Sequence, residues 1–228
     1  MGRDAVMMNE THEVREYAGL HYLLRPARQS HDVAAPLLVF LHGYDEGAPM
    51  PIDDALTRHG PLRPGNPRDV LDPFAIVAPQ LPRRGDLWHE FAGAVESLVR
   101  HVQAKEETDV TRTYLTGFSF GGNGVFDLGL RDSGLWAALW VVDPTRVPSG
   151  ELQLPIWFAF GEIARHRKAQ FLQVLNLSPA DESDGDRVFI DDGSDHVGAA
   201  TNAYRDARTY RWLVMQSRIN SSVVPCDL

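Results

Sequence analysis

A serine that lies between two glycines is the clearest candidate for a catalytic residue in this sequence. The stretch Thr113–Gly122 reads T-Y-L-T-G-F-S-F-G-G, in which a β-prone run leads into Gly117, Ser119 and Gly121. The G-x-S-x-G pattern requires a strand, a sharp turn and a helix, so that the serine hydroxyl projects above a sheet. A Cβ at either flanking glycine would collide with the neighbouring strand or helix. The pattern therefore predicts that Ser119 is a nucleophile.

A serine hydroxyl needs a neighbouring base at neutral pH, and His196 is the histidine best placed to supply one. It follows the last predicted strand and precedes the last predicted helix, in the segment D-D-G-S-D-H. The chain order serine, acid, histidine is the order used with this type of turn. Of the remaining histidines, we interpret His42 as a residue that orients a turn, and we leave open that His89, beside Trp88, lines a pocket.

Two backbone N–H groups are candidates for stabilising the negative charge that develops when such a serine attacks a carbonyl group. The residue after the nucleophile, here Phe120, supplies one donor, and a loop after an earlier strand supplies the other. The run L-L-V-F-L is followed by His42-Gly43-Tyr44, which puts the Tyr44 N–H in that loop. Gly43 would let the backbone approach closely, although the same His-Gly pair is also consistent with a simple tight turn.

The elements that must position these residues alternate between apolar runs and helical patterns. Apolar runs predict buried strands at 37–41, 74–78, 112–118, 136–142, 156–160 and 187–190, and partial alternation predicts an edge strand at 17–24. Helical spacing predicts helices at 87–105, 122–132, 165–176 and 202–218, with a short helix at 52–58 inside an irregular segment. We therefore predict an α/β fold, a mostly parallel twisted sheet with helices on both faces.

Ligands of such a sheet bind beyond the carboxyl ends of its strands. The polar groups at those ends are His42-Gly43-Tyr44, Ser119, Asp143, Glu162 and His196. Asp191, Asp192 and Asp195 could suggest a metal, but no histidine or cysteine lies at a useful spacing. We interpret them as a turn that places His196, and we predict neither a metal nor an organic cofactor.

Composition and charge restrict the class of partner. The 228 residues are 43% hydrophobic and 23% charged, which suits a single domain over 1–228 with a polar lead-in at 1–16 and a tail at 219–228. The net charge of −9 argues against nucleic acid or an anionic membrane as a partner. We find no signal-peptide core and no membrane-spanning apolar stretch. The single cysteine, Cys226, cannot form an internal disulfide, so we expect a cytoplasmic protein. The serine and histidine described above lead us to expect a small-molecule acyl substrate as the partner.

The sequence resembles the α/β-hydrolases of the predicted-peptidase and phospholipase/carboxylesterase-like groups, which are related to polyhydroxyalkanoate depolymerases and feruloyl esterases. The matching stretches are L-V-F-L-H-G-Y-D-E-G (38–47), T-R-H-G-P-L (57–62), I-V-A-P-Q (76–80), Y-L-T-G-F-S-F-G-G (114–122) and the closing segment 195–213. The resemblance implies serine hydrolysis of an ester, thioester or amide through an acyl-enzyme, without a cofactor. It carries over Ser119 as nucleophile, His196 as general base, and Tyr44 and Phe120 as oxyanion-hole donors.

The sequence departs from this family at the acid of the catalytic triad. The family usually has a loop that reads roughly F-H-G-x-x-D after the strand that is I-W-F-A-F here. Phe160 stands at the histidine position of that loop and Ala164 at the aspartate position. Asp143, which ends the preceding strand, and Glu162, which lies two residues early in the usual loop, are within reach. We favour Asp143, and we leave open Glu162 or no acid at all.

The missing acid keeps other functions open beside the serine hydrolase. One alternative is a biosynthetic acyl transferase or cyclase that uses the same serine without hydrolysis. The other is a weakly active binding protein with the hydrolase fold. Loss of the acid costs a triad about 10⁴-fold in kcat, yet the oxyanion hole and substrate binding still leave measurable catalysis. The sequence specifies neither the substrate nor the oligomeric state.

Overall fold

Apolar runs that are buried on both faces form the centre of a single sheet. The computed structural model describes residues 12–28, 33–183 and 185–218. Within them, nine strands pair in one sheet. They are β1 (Glu13–Tyr17), β2 (Leu20–Arg25), β3 (Leu37–Leu41), β4 (Ala75–Gln80), β5 (Thr113–Phe118), β6 (Ala138–Val142), β7 (Ile156–Ala159), β8 (Ser178–Pro179) and β9 (Arg187–Ile190).

Helices cover both faces of this sheet. They are α1 (Ile52–Leu56), α2 (Arg68–Leu71), α3 (Ala92–Lys105), α4 (Phe120–Arg131), α5 (Glu162–Arg165), α6 (Lys168–Leu175), α7 (His196–Arg205) and α8 (Ala207–Met215), with 3₁₀ turns at Tyr44–Glu46 and Trp88–Phe91. Helix α3 packs on one face with β3 side chains such as Val39, and helix α8 packs on the other face with Phe40. The alternation of β3 residues between the two cores explains why the whole run L-L-V-F-L is apolar.

The strand order brings the candidate residues to one edge of the sheet. The order is β1-β2-β4-β3-β5-β6-β7-β9-β8, with β2 antiparallel to its neighbours and the pairs from β3 onward parallel. Leu41 pairs with Gly117, and Phe118 pairs with Val142. The residues that follow β3, β5 and β6 therefore emerge side by side.

The predicted edge strand at 17–24 is largely β2 (Leu20–Arg25), but it is not at the edge of the sheet, because β1 forms a hairpin with it and takes that place. Strands β1 and β2 are joined at Ala18 and Gly19, which both have positive φ (52° and 77°). The polar sequence of β1 fits an edge strand with an exposed face, so the predicted lead-in at 1–16 is also wrong for its last residues. Residues 1–11, the tail at 219–228 and Cys226 lie outside the described residues.

Several predicted helices divide or begin elsewhere. The predicted helix 202–218 is instead α7 followed by α8, because Asp206 interrupts the helix and accepts the Arg208 N–H at 2.9 Å as an N-cap. Helix α7 begins six residues early, at His196, behind an Asp195 cap. The predicted helix 165–176 divides into α5 and α6.

Candidate active site

Ser119 occupies the sharp turn between β5 and α4. Its φ of 58° and ψ of −118° are unfavourable for a residue with a side chain. The turn is held by a 3.0 Å hydrogen bond from the Ser119 N–H to the Val142 carbonyl. A Cβ on Gly117 would overlap the Gly121 backbone, and one on Gly121 would overlap the Leu41 carbonyl. The two glycines thus permit the close approach that leaves the serine hydroxyl at the edge of the sheet.

Ser119, His196 and Asp143 form one hydrogen-bonded row. The Ser119 Oγ lies 3.0 Å from His196 Nε2, and His196 Nδ1 lies 2.6 Å from Asp143 Oδ2. The second contact requires a proton on Nδ1, which leaves Nε2 as the acceptor for the serine hydroxyl. This tautomer is the one that a general base beside a serine must have. Asp143 directly follows β6 and His196 begins α7, so the row is built from the ends of β5 and β6 and the starts of α4 and α7.

The Asp143 carboxylate is fully buried and is surrounded by backbone donors from the loop after β7. Its Oδ1 accepts the Gly161 N–H at 3.0 Å and the Ala164 N–H at 2.8 Å, and its Oδ2 accepts the Ile163 N–H at 3.3 Å. A Cβ on Gly161 would overlap this carboxylate. Backbone donors stabilise a buried negative charge. The loop after β7 therefore binds the carboxylate of Asp143.

Glu162, the alternative acid, points elsewhere. It is exposed in the first turn of α5. Within the described residues it makes no hydrogen bond or ion pair with His196, whose Nδ1 partner is Asp143. Of the two candidate acids, Asp143 is the one that contacts His196, and the Ala164 N–H donates to its carboxylate.

The loop after β3 brings the predicted oxyanion donors to the serine. The rings of Tyr44 and Phe120 meet edge to face at 4.9 Å, and a Cβ on Gly43 would lie 3.6 Å from the Ser119 Cβ. In the part of the chain that the structure describes, neither the Tyr44 N–H nor the Phe120 N–H donates to another protein group. Both donors are therefore available to a ligand of this site.

His42 sets the direction of the peptide that carries the Tyr44 N–H. The Leu81 N–H donates to His42 Nε2 at 3.0 Å, so the proton of the ring is on Nδ1, which donates to the Gly43 carbonyl at 2.7 Å. Burial lowers the pKa of His42 to about 4, in keeping with a neutral ring. In a trans peptide the carbonyl and the following N–H point in opposite directions. The Tyr44 N–H therefore points away from the His42 ring.

A small cavity lies over the serine. It has a volume of about 190 Å³, and its walls include Tyr44, Phe118, Ser119, His196 and Val197. A second cavity of about 470 Å³ lies beyond Phe120, where Trp88 and His89 form part of the wall. Tyr44 and Val197 are 46% and 51% exposed, so the rim of the site is open to water.

Two residues of the site were missed by the sequence analysis. Glu46 and His59 both line the cavity over Ser119. Glu46 is 3% exposed, and its Oε1 lies 3.4 Å from His59 Nε2. One signal was available, since a glutamate three residues after Gly43 fits the carboxylate half of a capping box.

The aspartates near His196 have structural partners. Asp191 pairs with Arg165 and Lys168, and Asp195 caps α7. Among the described residues, no group of three or more histidine, cysteine, aspartate or glutamate side chains could hold a metal ion. Within the same residues, no helix is long and apolar enough to cross a membrane.

Comparisons with known proteins identify the fold. No protein-family model and no curated protein matches the sequence. A solved thermostable esterase matches with a TM-score of 0.72 and 22% identity, over 91% of this chain and 63% of its own. The S-formylglutathione hydrolase of Agrobacterium tumefaciens has a TM-score of 0.61 and 11% identity, over 90% of this chain and 94% of its own. The fluorophosphonate-binding serine hydrolase F of Staphylococcus aureus has a TM-score of 0.64 and 12% identity, over 90% of this chain and 98% of its own. The chain has the α/β-hydrolase fold, as predicted, and it spans less than two thirds of the length of the esterase.

Proposed function

We propose that this protein is a serine hydrolase that cleaves a small ester, thioester or amide through an acyl-enzyme on Ser119. The observation that carries the proposal is the row of contacts at 3.0 and 2.6 Å that joins Ser119, His196 and Asp143. The solved structures with the same fold, which are described as esterases and serine hydrolases, support the same reaction class.

In the proposed reaction, His196 takes the proton of the Ser119 hydroxyl at Nε2 while Oγ attacks the carbonyl carbon of the substrate. The oxygen that becomes negative is bound by the Tyr44 and Phe120 N–H groups, and each such donor is worth about 10²–10³-fold in kcat. The imidazolium then protonates the leaving group as the tetrahedral intermediate collapses. A water molecule, deprotonated by His196, repeats these steps on the acyl-enzyme and releases the acid.

Two features weigh against the competing functions. The binding-protein hypothesis rests on the missing acid, and Asp143 supplies a buried carboxylate in contact with His196 Nδ1 at 2.6 Å. The acyl transferase hypothesis requires a site that keeps water from the acyl-enzyme. Here the residues at the rim, Tyr44 and Val197, are about half exposed.

The size of the cavity favours a short acyl group. Its volume of about 190 Å³ is small beside the roughly 300–1,000 Å³ of typical ligand pockets. In our proposal a short acyl group, acetyl to butyryl, occupies this space, and a longer chain gains few further contacts beyond its open rim. We therefore propose that the acyl group of the substrate is small, while the alcohol, thiol or amine portion extends past Phe120 or Tyr44.

A panel of p-nitrophenyl esters from acetate to decanoate tests this proposal. We expect the highest kcat/KM for the two- to four-carbon esters, and a loss of at least about 10³-fold in kcat in Ser119→Ala. Ser133→Ala, a change at an exposed serine, is the matched control and should keep the wild-type rate. Equal rates in Ser119→Ala and wild type would contradict the proposal. Transfer of the acyl group to an added amine in preference to water would favour the transferase.

A further inference from the structure

A buried carboxyl group outside the Ser119–His196–Asp143 row contacts the oxyanion loop, residues 42–47. Glu46 Oε2 accepts the Gly43 N–H at 2.6 Å. Gly43 lies between this carboxyl and the nucleophile, because a Cβ on it would be 3.1 Å from Glu46 Oε2 and 3.6 Å from the Ser119 Cβ. A shift of the Glu46 side chain would therefore move the backbone that faces the serine.

Glu46 and His42 hold Gly43 from both sides. The N–H of Gly43 donates to Glu46, and its carbonyl accepts the Nδ1 proton of His42 at 2.7 Å. With both polar groups engaged, the peptide plane that ends in the Tyr44 N–H has little freedom to rotate. The direction of that N–H decides whether it can reach a developing oxyanion.

The backbone of the oxyanion loop is fixed by the last residue of β4 and by the loop that follows it. Gln80 Nε2 donates to the Glu46 carbonyl at 3.0 Å and to the Met50 carbonyl at 2.9 Å. The Gly85 N–H donates to the Tyr44 carbonyl at 3.2 Å. These bonds fix the backbone of the loop at Glu46, and the side chain, which is buried, is held by the Gly43 N–H at 2.6 Å and lies 3.4 Å from His59 Nε2.

We propose that Glu46 is a positioning residue of the oxyanion hole, which acts by accepting the Gly43 N–H and not by its negative charge. This inference rests on the proposed function, because it concerns the same hydrolytic site. A negative charge beside the oxyanion would oppose the reaction, whereas the carbonyl oxygen of a neutral carboxyl group accepts the same N–H. Burial raises the pKa of Glu46 to about 7, against the opposing effects of the Gly43 N–H and of Arg58.

Two substitutions at Glu46 separate the effect of its side-chain length from the effect of its charge. Glu46→Gln keeps an oxygen at the same distance and removes the charge. Glu46→Asp keeps the charge and withdraws the oxygens by about 1.5 Å, the length of one C–C bond. We expect Gln to lower kcat by less than about 3-fold and Asp to lower it by about 10–100-fold with KM within 2-fold, because a small misplacement of a catalytic donor costs up to about 10²-fold.

A tetrahedral transition-state analogue shows whether the loss arises at the oxyanion hole. A trifluoromethyl ketone with a short acyl-like chain forms a hemiketal oxyanion on the serine. In the Asp variant its inhibition constant should rise by the same factor by which kcat/KM falls, and in the Gln variant it should change little. If the Asp variant is unfolded by circular dichroism, Glu46→Met, of similar length and without an acceptor, replaces it.

The outcomes are distinct. A larger loss in Gln than in Asp would show that charge matters and would overturn the proposal, as would equal losses or no loss in both variants. A loss confined to KM would also overturn it. If the wild type hydrolyses esters in a Ser119-dependent way and these variants fail the test, only the inference about Glu46 falls. If the wild type has no Ser119-dependent activity, the proposed function itself falls.

Discussion

Two carboxyl–imidazole pairs, Asp143–His196 and Glu46–His59, contact the ring of Phe118 through their imidazoles, and the imidazole of the first pair also contacts the Ser119 hydroxyl. The Phe118 ring packs against His196 at 4.5 Å and against His59 at 5.0 Å. In the first pair, Asp143 and His196 are 2.6 Å apart, and three backbone N–H groups bind the carboxylate. In the second pair, Glu46 and His59 are 3.4 Å apart, and one backbone N–H binds the carboxyl group.

The number of donors explains the different roles that we propose for the two pairs. A carboxylate surrounded by backbone N–H groups can keep its charge in a buried place, which is what an imidazolium needs as a partner. With few donors, burial raises the pKa of Glu46 to about 7 and lowers the pKa of His59 to about 4. The second pair is therefore mostly neutral below pH 7 and above pH 4, and in our proposal Glu46 holds the backbone of Gly43.

Loss of the two imidazoles should give the largest contrast. We expect His196→Ala to lower kcat by about 10⁵–10⁶-fold, because the serine loses its base. His59→Ala, the matched change in the other pair, should lower kcat by less than about 10-fold, since in our proposal His59 transfers no proton. Steady-state rates on a short p-nitrophenyl ester measure both. Comparable losses in the two variants would erase the distinction between the pairs.

The acid gives the next largest effect. Asp143→Asn should lower kcat by about 10⁴-fold, because the amide can present its N–H to His196 and favours the wrong tautomer. Glu162→Gln, at the exposed alternative, should stay within about 2-fold of the wild type. Both are measured under the conditions used for the histidine variants. A loss of kcat above about 100-fold in Glu162→Gln would indicate that Glu162, and not Asp143, is the acid.

The smallest expected effect is on the free energy of unfolding, and it depends on the ionisation of Glu46 in the second pair. Because burial raises the pKa of Glu46 from 4.5 to about 7, the folded protein binds this proton more tightly than the unfolded chain. The wild type should lose stability relative to Glu46→Gln as pH rises from 4.5 to 7, by on the order of 3 kcal/mol in total. Above pH 7 the difference should level off.

Urea unfolding of both proteins at pH 4.5, 6 and 7.5 measures this difference. Buried groups such as His42, whose pKa is lowered to about 4 by burial, titrate in both proteins and cancel in the comparison. A difference that does not change with pH would mean that Glu46 is ionised throughout this range. The two pairs would then not differ in charge.

Local motifs explain why much of the site could be predicted from the sequence. The turn at Ser119 needs glycines at fixed positions, and the donor Phe120 follows from that turn. His196 was predicted as the base from its place after the last predicted strand, and Asp143 as the acid from its place at a strand end. The order of these elements along the chain is a property of the α/β-hydrolase fold, which the solved structures confirm.

Contacts between distant segments explain what the sequence could not reveal. The loop that carries Glu46 is held by residues about 35–40 positions later in the chain, since Gln80 donates to the Glu46 carbonyl and the Gly85 N–H donates to the Tyr44 carbonyl. The hairpin of β1 and β2 was missed because its edge strand is polar and lacks an apolar run. The start of α7 could have been found, since Asp195 precedes it as a cap and accepts the Gly198 N–H at 2.6 Å.

The measurement that most directly tests the central claim is fluorophosphonate labelling followed by peptide mapping. Fluorophosphonates react with serines that a neighbouring base has activated. We predict one adduct, on Ser119, which is absent in Ser119→Ala and forms much more slowly in His196→Ala. An adduct on another residue, or a folded wild-type protein that takes up no label, would contradict the assignment of Ser119 as nucleophile and His196 as its base.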